Sequence, residues 1–266
     1  MEIDVITIFP EMFPAVLGSS IMKRSQASGR LRVGVRNLRD YTHDKRRTVD
    51  DRPYGGGPGM VMKPEPVFEA VEAIRRACGH AGSRASGDGA GLNCRTILTS
   101  PQGETLSPAL ARNLAGLEHL IIICGHYEGV DERVRQALVH QTISIGDYVL
   151  TGGELPALVL IDCLARFIPG VLGHALAADE DSFAAGWLEH PQYTRPPIYK
   201  NMAVPDVLRS GDHRRIARWR KLQAVTATLS SRPNLFALRI ANCGLDDQKI
   251  RNRKSEIHNP RRNERH

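Results

Sequence analysis

Two glycine-bearing segments lie close together in this chain and carry residues suited to gripping a ligand by main chain. The first is Cys124-Gly125-His126-Tyr127-Glu128-Gly129-Val130-Asp131. The second is Ile145-Gly146-Asp147-Tyr148-Val149-Leu150-Thr151-Gly152-Gly153-Glu154-Leu155-Pro156. Each follows a short apolar run and precedes a helix-like stretch. Glycine serves where backbone turns sharply or lets a ligand come close. Two such turns at the ends of neighbouring strands make a backbone-lined pocket at one edge of an α/β sheet. Amides and carbonyls of 145–150 can satisfy a purine edge while Ile145 and Leu150 sandwich its ring. From spacing alone, a purely structural turn is equally open. Arg166 sits in a helical stretch with apolar neighbours, where a guanidinium needs an anionic partner. A structural salt bridge meets that need as well as a ligand does. Asp179, Glu180 and Asp181 are crowded carboxylates able to raise one another's pKa, although composition alone reads them as a solvated patch.

The elements that must position these residues follow from pattern. Residues 2–9 read as a buried strand and 14–27 as a helix. Leu31, Val33 and Val35 alternate as a second strand. Residues 39–63 form a long polar loop rich in Gly and Pro, of the kind that is functional or disordered. A helix over 67–77 is introduced by Pro64 and Pro66, and 79–93 reads as an exposed, flexible connection. A strand spans 95–100. Ser107 then Pro108 open a helix to about Leu114. Residues 119–124 are a continuous apolar strand, as in a parallel sheet covered on both faces. Asp131 caps a helix to about Val139, a strand covers 142–145, and 154–167 is a helix apolar on most sides. This alternation indicates an α/β domain with a parallel sheet. Residues 170–186 look like a linker. Helices follow over 205–209, 212–229 and 233–241, and the charged tail from Gln248 reads as disordered.

Charge is divided unevenly. Residues 1–186 hold 19 Lys and Arg against 22 Asp and Glu, whereas residues 187–266 hold 17 against 7, so the basic excess belongs to the last 80 residues. A polyanion is the natural partner there, and Arg214, Arg215, Arg218 and Lys221 on one helix are candidate phosphate contacts. His43, Asp44, Lys45 and Arg46 on the long loop are weaker ones. The five cysteines show no CxxC spacing and read as reduced thiols, mostly in the core, rather than zinc ligands. No apolar run reaches the length of a membrane span, and no secretory signal opens the chain, so a cytoplasmic protein is expected. The sequence lacks GxxxxGK[ST], GxGxxG after the first strand, GxSxG and HExxH, which argues against a P-loop, a Rossmann dinucleotide site, a hydrolase elbow and a zincin.

Taken in order, several segments together resemble one family. They are Ile8-Phe9-Pro10-Glu11-Met12-Phe13, Tyr54-Gly55-Gly56-Gly57-Pro58-Gly59-Met60, Ser100-Pro101-Gln102-Gly103, 124–131, 145–156, 165–173, Asp181-Ser182-Phe183, His190-Pro191-Gln192-Tyr193-Thr194-Arg195-Pro196 and Ile216-Ala217-Arg218-Trp219-Arg220. Over residues 1 to about 238 the chain resembles bacterial tRNA (guanine-37-N1) methyltransferases of the knotted SPOUT class. The resemblance implies an α/β fold with a parallel sheet and a deep trefoil knot over about 96–172, plus a small all-α C-terminal domain. The expected division is a SPOUT domain at 1–172, a flexible linker at 173–186, a helical tRNA-binding domain at 187–246 and a basic tail at 247–266. It implies S-adenosylmethionine bent in the knot, held by Gly125, Ile145, Gly146, Asp147, Tyr148, Val149 and Leu150. Leu98, Pro101, Tyr127, Glu128, Gly152, Gly153 and Pro156 would surround it. It further implies a homodimer with active sites at the subunit interface, and tRNA as partner. Asp181, lent by the partner subunit, would be the general base, and Arg166 would hold charge on guanine O6. A magnesium ion is compatible with the family, but the sequence offers it no dedicated ligand cluster. His126 stands where many members have Arg, and 79–93 and the tail have no clear family counterpart. The rivals are a related SPOUT enzyme acting on another RNA atom and a non-catalytic RNA-binding protein on the same scaffold.

Overall fold

The first strand, β1 (Glu2–Thr7), alternates Ile3 and Val5 to one side with Asp4 and Ile6 to the other, and all four are buried. These features come from a computed structural model, which describes residues 1–78, 94–173, 181–184 and 186–235. β1 stops short of Phe9 because the Thr7 hydroxyl accepts the Phe9 amide at 2.9 Å and the chain enters a 3-10 turn at Pro10–Met12. The pattern read as one helix over 14–27 is two, α1 (Pro14–Leu17) and α2 (Ser20–Ala27). Gly18 ends the first by donating to the Pro14 carbonyl, and Ser20 takes a positive φ of 44°. β2 is Arg32–Asn37. The long loop holds a 3-10 turn at Leu38–Tyr41 and a two-residue antiparallel pair, β3 (Asp50–Asp51) with β4 (Val61–Met62).

α3 (Pro64–Ala77) begins at Pro64 itself, the favoured first-turn position for proline. β5 (Cys94–Thr105) leads to α4 (Pro108–Ala115), which Ser107 caps by accepting the Leu110 amide. β6 (His119–Cys124) is buried at every position. α5 (Glu132–Leu138) is capped by the Asp131 carboxylate, which accepts the Arg133 amide. β7 (Gln141–Ser144) and α6 (Glu154–Ala165) complete the first of two compact units, Met1–Ala175 and Leu176–His266.

The sheet order is β2-β1-β6-β5-β7, and every pairing is parallel. Because side chains alternate, two cores form. Ile3, Val5, Leu120 and Ile122 pack with residues of α1, α2, α4 and α6, while Ile6, Ile121 and Ile123 pack with residues of α3 and α5. At the amino edge of the sheet, Asp4 lies between Arg36 Nε at 2.8 Å and His119 Nε2 at 3.0 Å. Burial alone would depress His119, but its hydrogen bonds to Asp4 and Cys94 outweigh that and raise it to about 9. Burial alone would raise Asp4, yet His119 and Arg36 hold it below its ordinary value.

The second unit carries β8 (Ile198–Tyr199) and β9 (Met202–Ala203), paired antiparallel, then α7 (Asp206–Arg209) and α8 (His213–Ser231). The expectation of an all-α domain is corrected here. Lys200 and Asn201 both take positive φ, 47° and 64°, the turn geometry that matches strand twist in a two-residue hairpin. Asp212 caps α8 by accepting the Arg214 and Arg215 amides. The connection 79–93, linker residues 174–180 with Asp179 and Glu180, the end of the helix read over 233–241, Cys243 and the basic tail lie outside the described residues. Of the four described cysteines only Cys124 is fully buried; Cys78, Cys94 and Cys163 are half-buried, so they are less internal than their composition suggested. Among the described residues no helix is long and apolar enough to cross a membrane.

Candidate functional site

A cavity of ≈ 300 Å³ opens where β5, β6 and β7 end. Sites in parallel α/β sheets favour this carboxyl edge, because loops there diverge and leave a crevice. Its walls are three loops. The first is a wide bulge in β5. Thr99 and Glu104 both pair with Ile143, so Ser100–Gly103 leave the ladder, and Ser100, Pro101 and Gln102 form one lip. Sequence reading ended this strand at Ser100 because the excursion hides its continuation. Gly103 has no room for a side chain, since a Cβ would lie 2.5 Å from the Ile143 nitrogen.

The second wall is the turn after β6. Gly125, His126, Tyr127, Glu128, Gly129 and Val130 line it. Tyr127 is held at φ 58°, a conformation costly for a bulky side chain and one that clusters at ligand sites. The long loop fixes this turn by main chain. Glu128 N donates to Met60 O at 3.0 Å, Met62 N to Gly129 O at 2.9 Å and Asp131 N to Met62 O at 3.0 Å. Burial, reinforced by the Asp50 carboxylate, raises the Tyr127 phenol.

The third wall is the bend after β7. The Ser144 hydroxyl accepts the Gly146 amide at 3.2 Å and donates to the Gly146 carbonyl at 3.0 Å. Gly146 takes φ 148°, and a Cβ there would meet the Tyr148 ring. The chain then passes between the ends of β5 and β6. Gly153 N donates to Gly125 O at 2.6 Å, and the single Thr99 hydroxyl hydrogen is shared between Ile123 O at 3.2 Å and Gly153 O at 3.3 Å. A Cβ on Gly153 would lie 2.7 Å from Gly125 N and 2.8 Å from the Cys124 Cα.

Under this wall lies Glu154, only 2% exposed, at the start of α6. Its Oε1 accepts from Thr7 Oγ1 at 2.8 Å, and the first turn of a helix favours its negative charge. Its Oε2 lies 3.7 Å from His126 Nδ1. That is too far for a hydrogen bond, and the buried Nδ1 makes none.

Every residue expected to touch the methyl donor lines this cavity except Asp147, which is exposed. Leu98, Pro101, Gly125, Tyr127, Glu128, Ile145, Gly146, Tyr148, Val149, Leu150, Gly152, Gly153 and Pro156 are thus brought together from three loops. Half-buried Ile145 and partly exposed Leu150 offer apolar surface for a ring. Sequence reading did not single out Thr99, Ser144 or Glu154. Thr99 and Glu154 act through partners distant in sequence, which only the parallel register reveals, whereas Ser144 bonds locally to Gly146. Arg166 caps the end of α6, half-buried, and does not line the cavity. Asp181 belongs to the second unit, half-buried in a turn where the Ala184 amide donates to its carbonyl at 3.2 Å. Arg214, Arg215, Arg218 and Lys221 all lie exposed on α8. On the long loop, His43 pairs with Glu69 at 2.8 Å and Asp44 accepts from Thr48, leaving Lys45 and Arg46 as the exposed cations among these four candidates.

Glu2, Asp4, Cys78 and His119 place possible ligand atoms within 4.8 Å of one another. Arg32, Arg36 and the Asp4–His119 pair already engage three of these four groups, and the cluster lies at the amino edge, away from the cavity.

The sequence profile of the family described as tRNA (Guanine-1)-methyltransferase TrmD matches residues 1–238. A tRNA (guanine-N(1)-)-methyltransferase of Moorella thermoacetica is 55% identical over 237 residues, covering 89% of this chain and 90% of its own length. One of Anaeromyxobacter sp. (strain K) is 52% identical over 239 residues, covering 89% and 91%. One of Desulforamulus reducens is 48% identical over 250 residues, covering 94% and 93%.

Proposed function

The chain belongs to the tRNA (guanine-1)-methyltransferase family, and on that premise we propose that it methylates N1 of guanine 37 in tRNA with S-adenosylmethionine as donor. The observation that carries this reading is the cavity itself, whose walls gather the expected donor contacts from three separate loops. A glycine-lined, largely main-chain site suits a flat adenine with apolar flanks, and half-buried Ile145 and partly exposed Leu150 supply those flanks. S-adenosylmethionine supplies an already activated methyl group, so positioning is the protein's main contribution.

The remaining chemistry falls to two side chains. Guanine N1 is protonated at neutral pH and is a poor nucleophile. Asp181, from the partner subunit of a homodimer, takes that proton as general base. Negative charge then collects on O6, where Arg166 holds it through its planar fork. Leu155 and Val159, one turn apart on α6 and 49% and 45% exposed, support a homodimer by offering an apolar face. Passage of Gly153 between the ends of β5 and β6 supports a trefoil knot over 96–172. Arg214, Arg215, Arg218 and Lys221 bind the RNA backbone, and the enzyme works in the cytoplasm. We assign magnesium no protein site.

The test combines purified protein, labelled donor and tRNA transcripts carrying guanine or adenine at position 37. Product at N1 of guanine 37 is expected, and Asp181→Ala should lower its rate by ~10²–10⁴-fold. Product on another atom would move the chain to a different specificity. Binding without product would leave an RNA-binding protein.

A further inference from the structure

The second unit holds a groove of ≈ 630 Å³ that the proposed chemistry leaves unused. Its floor is apolar and half-buried, from Val204, Leu208 and Ile216. One wall carries the rings of His190 and Tyr193. Trp219, one turn along α8 from Ile216 and not itself lining the groove, lies 6.3 Å from both rings, tilted at 58° and 56°. None of the three is stacked face to face with another, and Tyr193 is 50% exposed. The rim is cationic, from Arg195, Arg209 and Arg220. Of these only Arg209 faces a carboxylate among the described residues, the fully exposed Asp206 at 3.7 Å. The surroundings keep that sign: residues 187–235 hold nine Lys and Arg against three Asp and Glu.

A flat aromatic wall, an apolar floor and unneutralised guanidinium groups at the rim suit one kind of ligand, a planar base joined to a phosphate. Aromatic rings accept any unstacked base face, and arginine holds phosphate by paired hydrogen bonds. A protein segment would use the floor but leave the rim charges unmatched. We infer that this groove receives an unpaired nucleotide of the tRNA other than guanine 37, its base against Tyr193 and its phosphate at Arg195 and Arg220. The inference rests on the tRNA reading above and adds a second point of grip. It is separate from Arg214, Arg215 and Lys221, none of which lines the groove.

The experiment uses the full-length protein and tRNA transcripts in which each unpaired anticodon-arm nucleotide except 37 is in turn made abasic. Binding is measured at fixed salt for the natural protein, Tyr193→Phe, Tyr193→Leu and Arg220→Gln. Removing one stacked base should weaken binding by roughly tenfold. The expected result is one abasic position that costs the natural protein and Tyr193→Phe about that factor. Tyr193→Leu should bind intact tRNA correspondingly weakly and be indifferent to the same abasic change. Arg220→Gln should flatten the salt dependence while keeping the abasic effect. If Tyr193→Leu and Arg220→Gln melt normally and bind every transcript within twofold of the natural protein, the groove assignment is wrong, while N1 methylation by the same samples leaves the proposed function standing. If the natural protein neither binds nor methylates tRNA, both fail together.

Discussion

At its carboxyl edge the sheet of the first unit presents main chain: Gly125 and Gly153 bring backbone against backbone around a cavity, and Gly146 and Gly152 bring it against side chains. Toward its amino edge the same sheet presents charges: Asp4 and His119 buried together, with the exposed Arg36 reaching Asp4. Both edges are crowded, for different reasons. Packing at the carboxyl edge leaves space for a ligand by denying space to side chains. Packing at the amino edge closes the sheet by neutralising groups it has taken out of water. A defect at the first edge should therefore appear in binding and rate, and a defect at the second in stability and its pH dependence.

The largest expected effect is at Gly153. Gly153→Ala puts a methyl group 2.7 Å from Gly125 N and 2.8 Å from the Cys124 Cα. These are backbone atoms and cannot swing away, so the wall must move. Displacement by about 1 Å in a positioned site costs on the order of 100-fold in rate. Methyl transfer should fall by at least about that factor, with a parallel loss of S-adenosylmethionine affinity in calorimetry. Donor affinity within threefold of the natural protein would mean that this edge does not depend on close main-chain approach.

His119 gives the next effect. Its pKa is raised from 6.5 to about 9, so the folded state binds the proton more tightly than the unfolded one. The resulting stability is fully present below about pH 6.5 and is lost as pH rises through about 9. A shift of that size is worth roughly 3–4 kcal/mol. Asp4 is lowered, so its share is present above its ordinary value and lost only in acid. Urea unfolding at pH 6.5 and 9.5 should show the natural protein losing stability across the interval. His119→Gln, which keeps a donor toward Asp4 but cannot titrate, should start lower and lose less, with methyl transfer at neutral pH nearly unchanged. Equal pH slopes in the two proteins would remove the amino-edge network from the account.

The two edges were unequally legible in the sequence. The apolar run His119–Cys124 sets its own limits, and strand and run coincide to the residue. The glycine turns announced the cavity, because glycine is the cheapest residue where φ is positive or a neighbour touches the Cα. The bulge at Ser100–Gly103 is invisible in the pattern, since a strand that leaves the ladder and returns has no period to follow. α1 and α2 merged in the reading because apolar spacing survives the break at Gly18. The amino-edge network was not legible at all. Asp4 and His119 are 115 residues apart, and only the register pairing β1 with β6 brings them onto one face. The hairpin in the second unit leaves no mark in the sequence, as two-residue strands carry no alternation.

Thr7 tests whether the carboxyl edge also depends on charge. It sits at the end of β1 and donates to Glu154 at 2.8 Å across 147 residues, while accepting the Phe9 amide. Thr7→Val keeps the shape but strips the carboxylate of this donor and leaves the Phe9 amide without its acceptor. An unsatisfied buried partner costs about 1–3 kcal/mol, so thermal unfolding should shift down by several degrees. Glu154 supports the Gly152–Gly153 wall from beneath, where a Cβ on Gly152 would press on its carboxylate. Donor affinity should therefore fall as well, by a factor of a few, far less than for Gly153→Ala. If stability drops with no change in affinity, Glu154 belongs with His119 among the groups that only hold the fold. If affinity falls as steeply as in Gly153→Ala, the wall is positioned by charge as much as by glycine, and the division between the two edges dissolves.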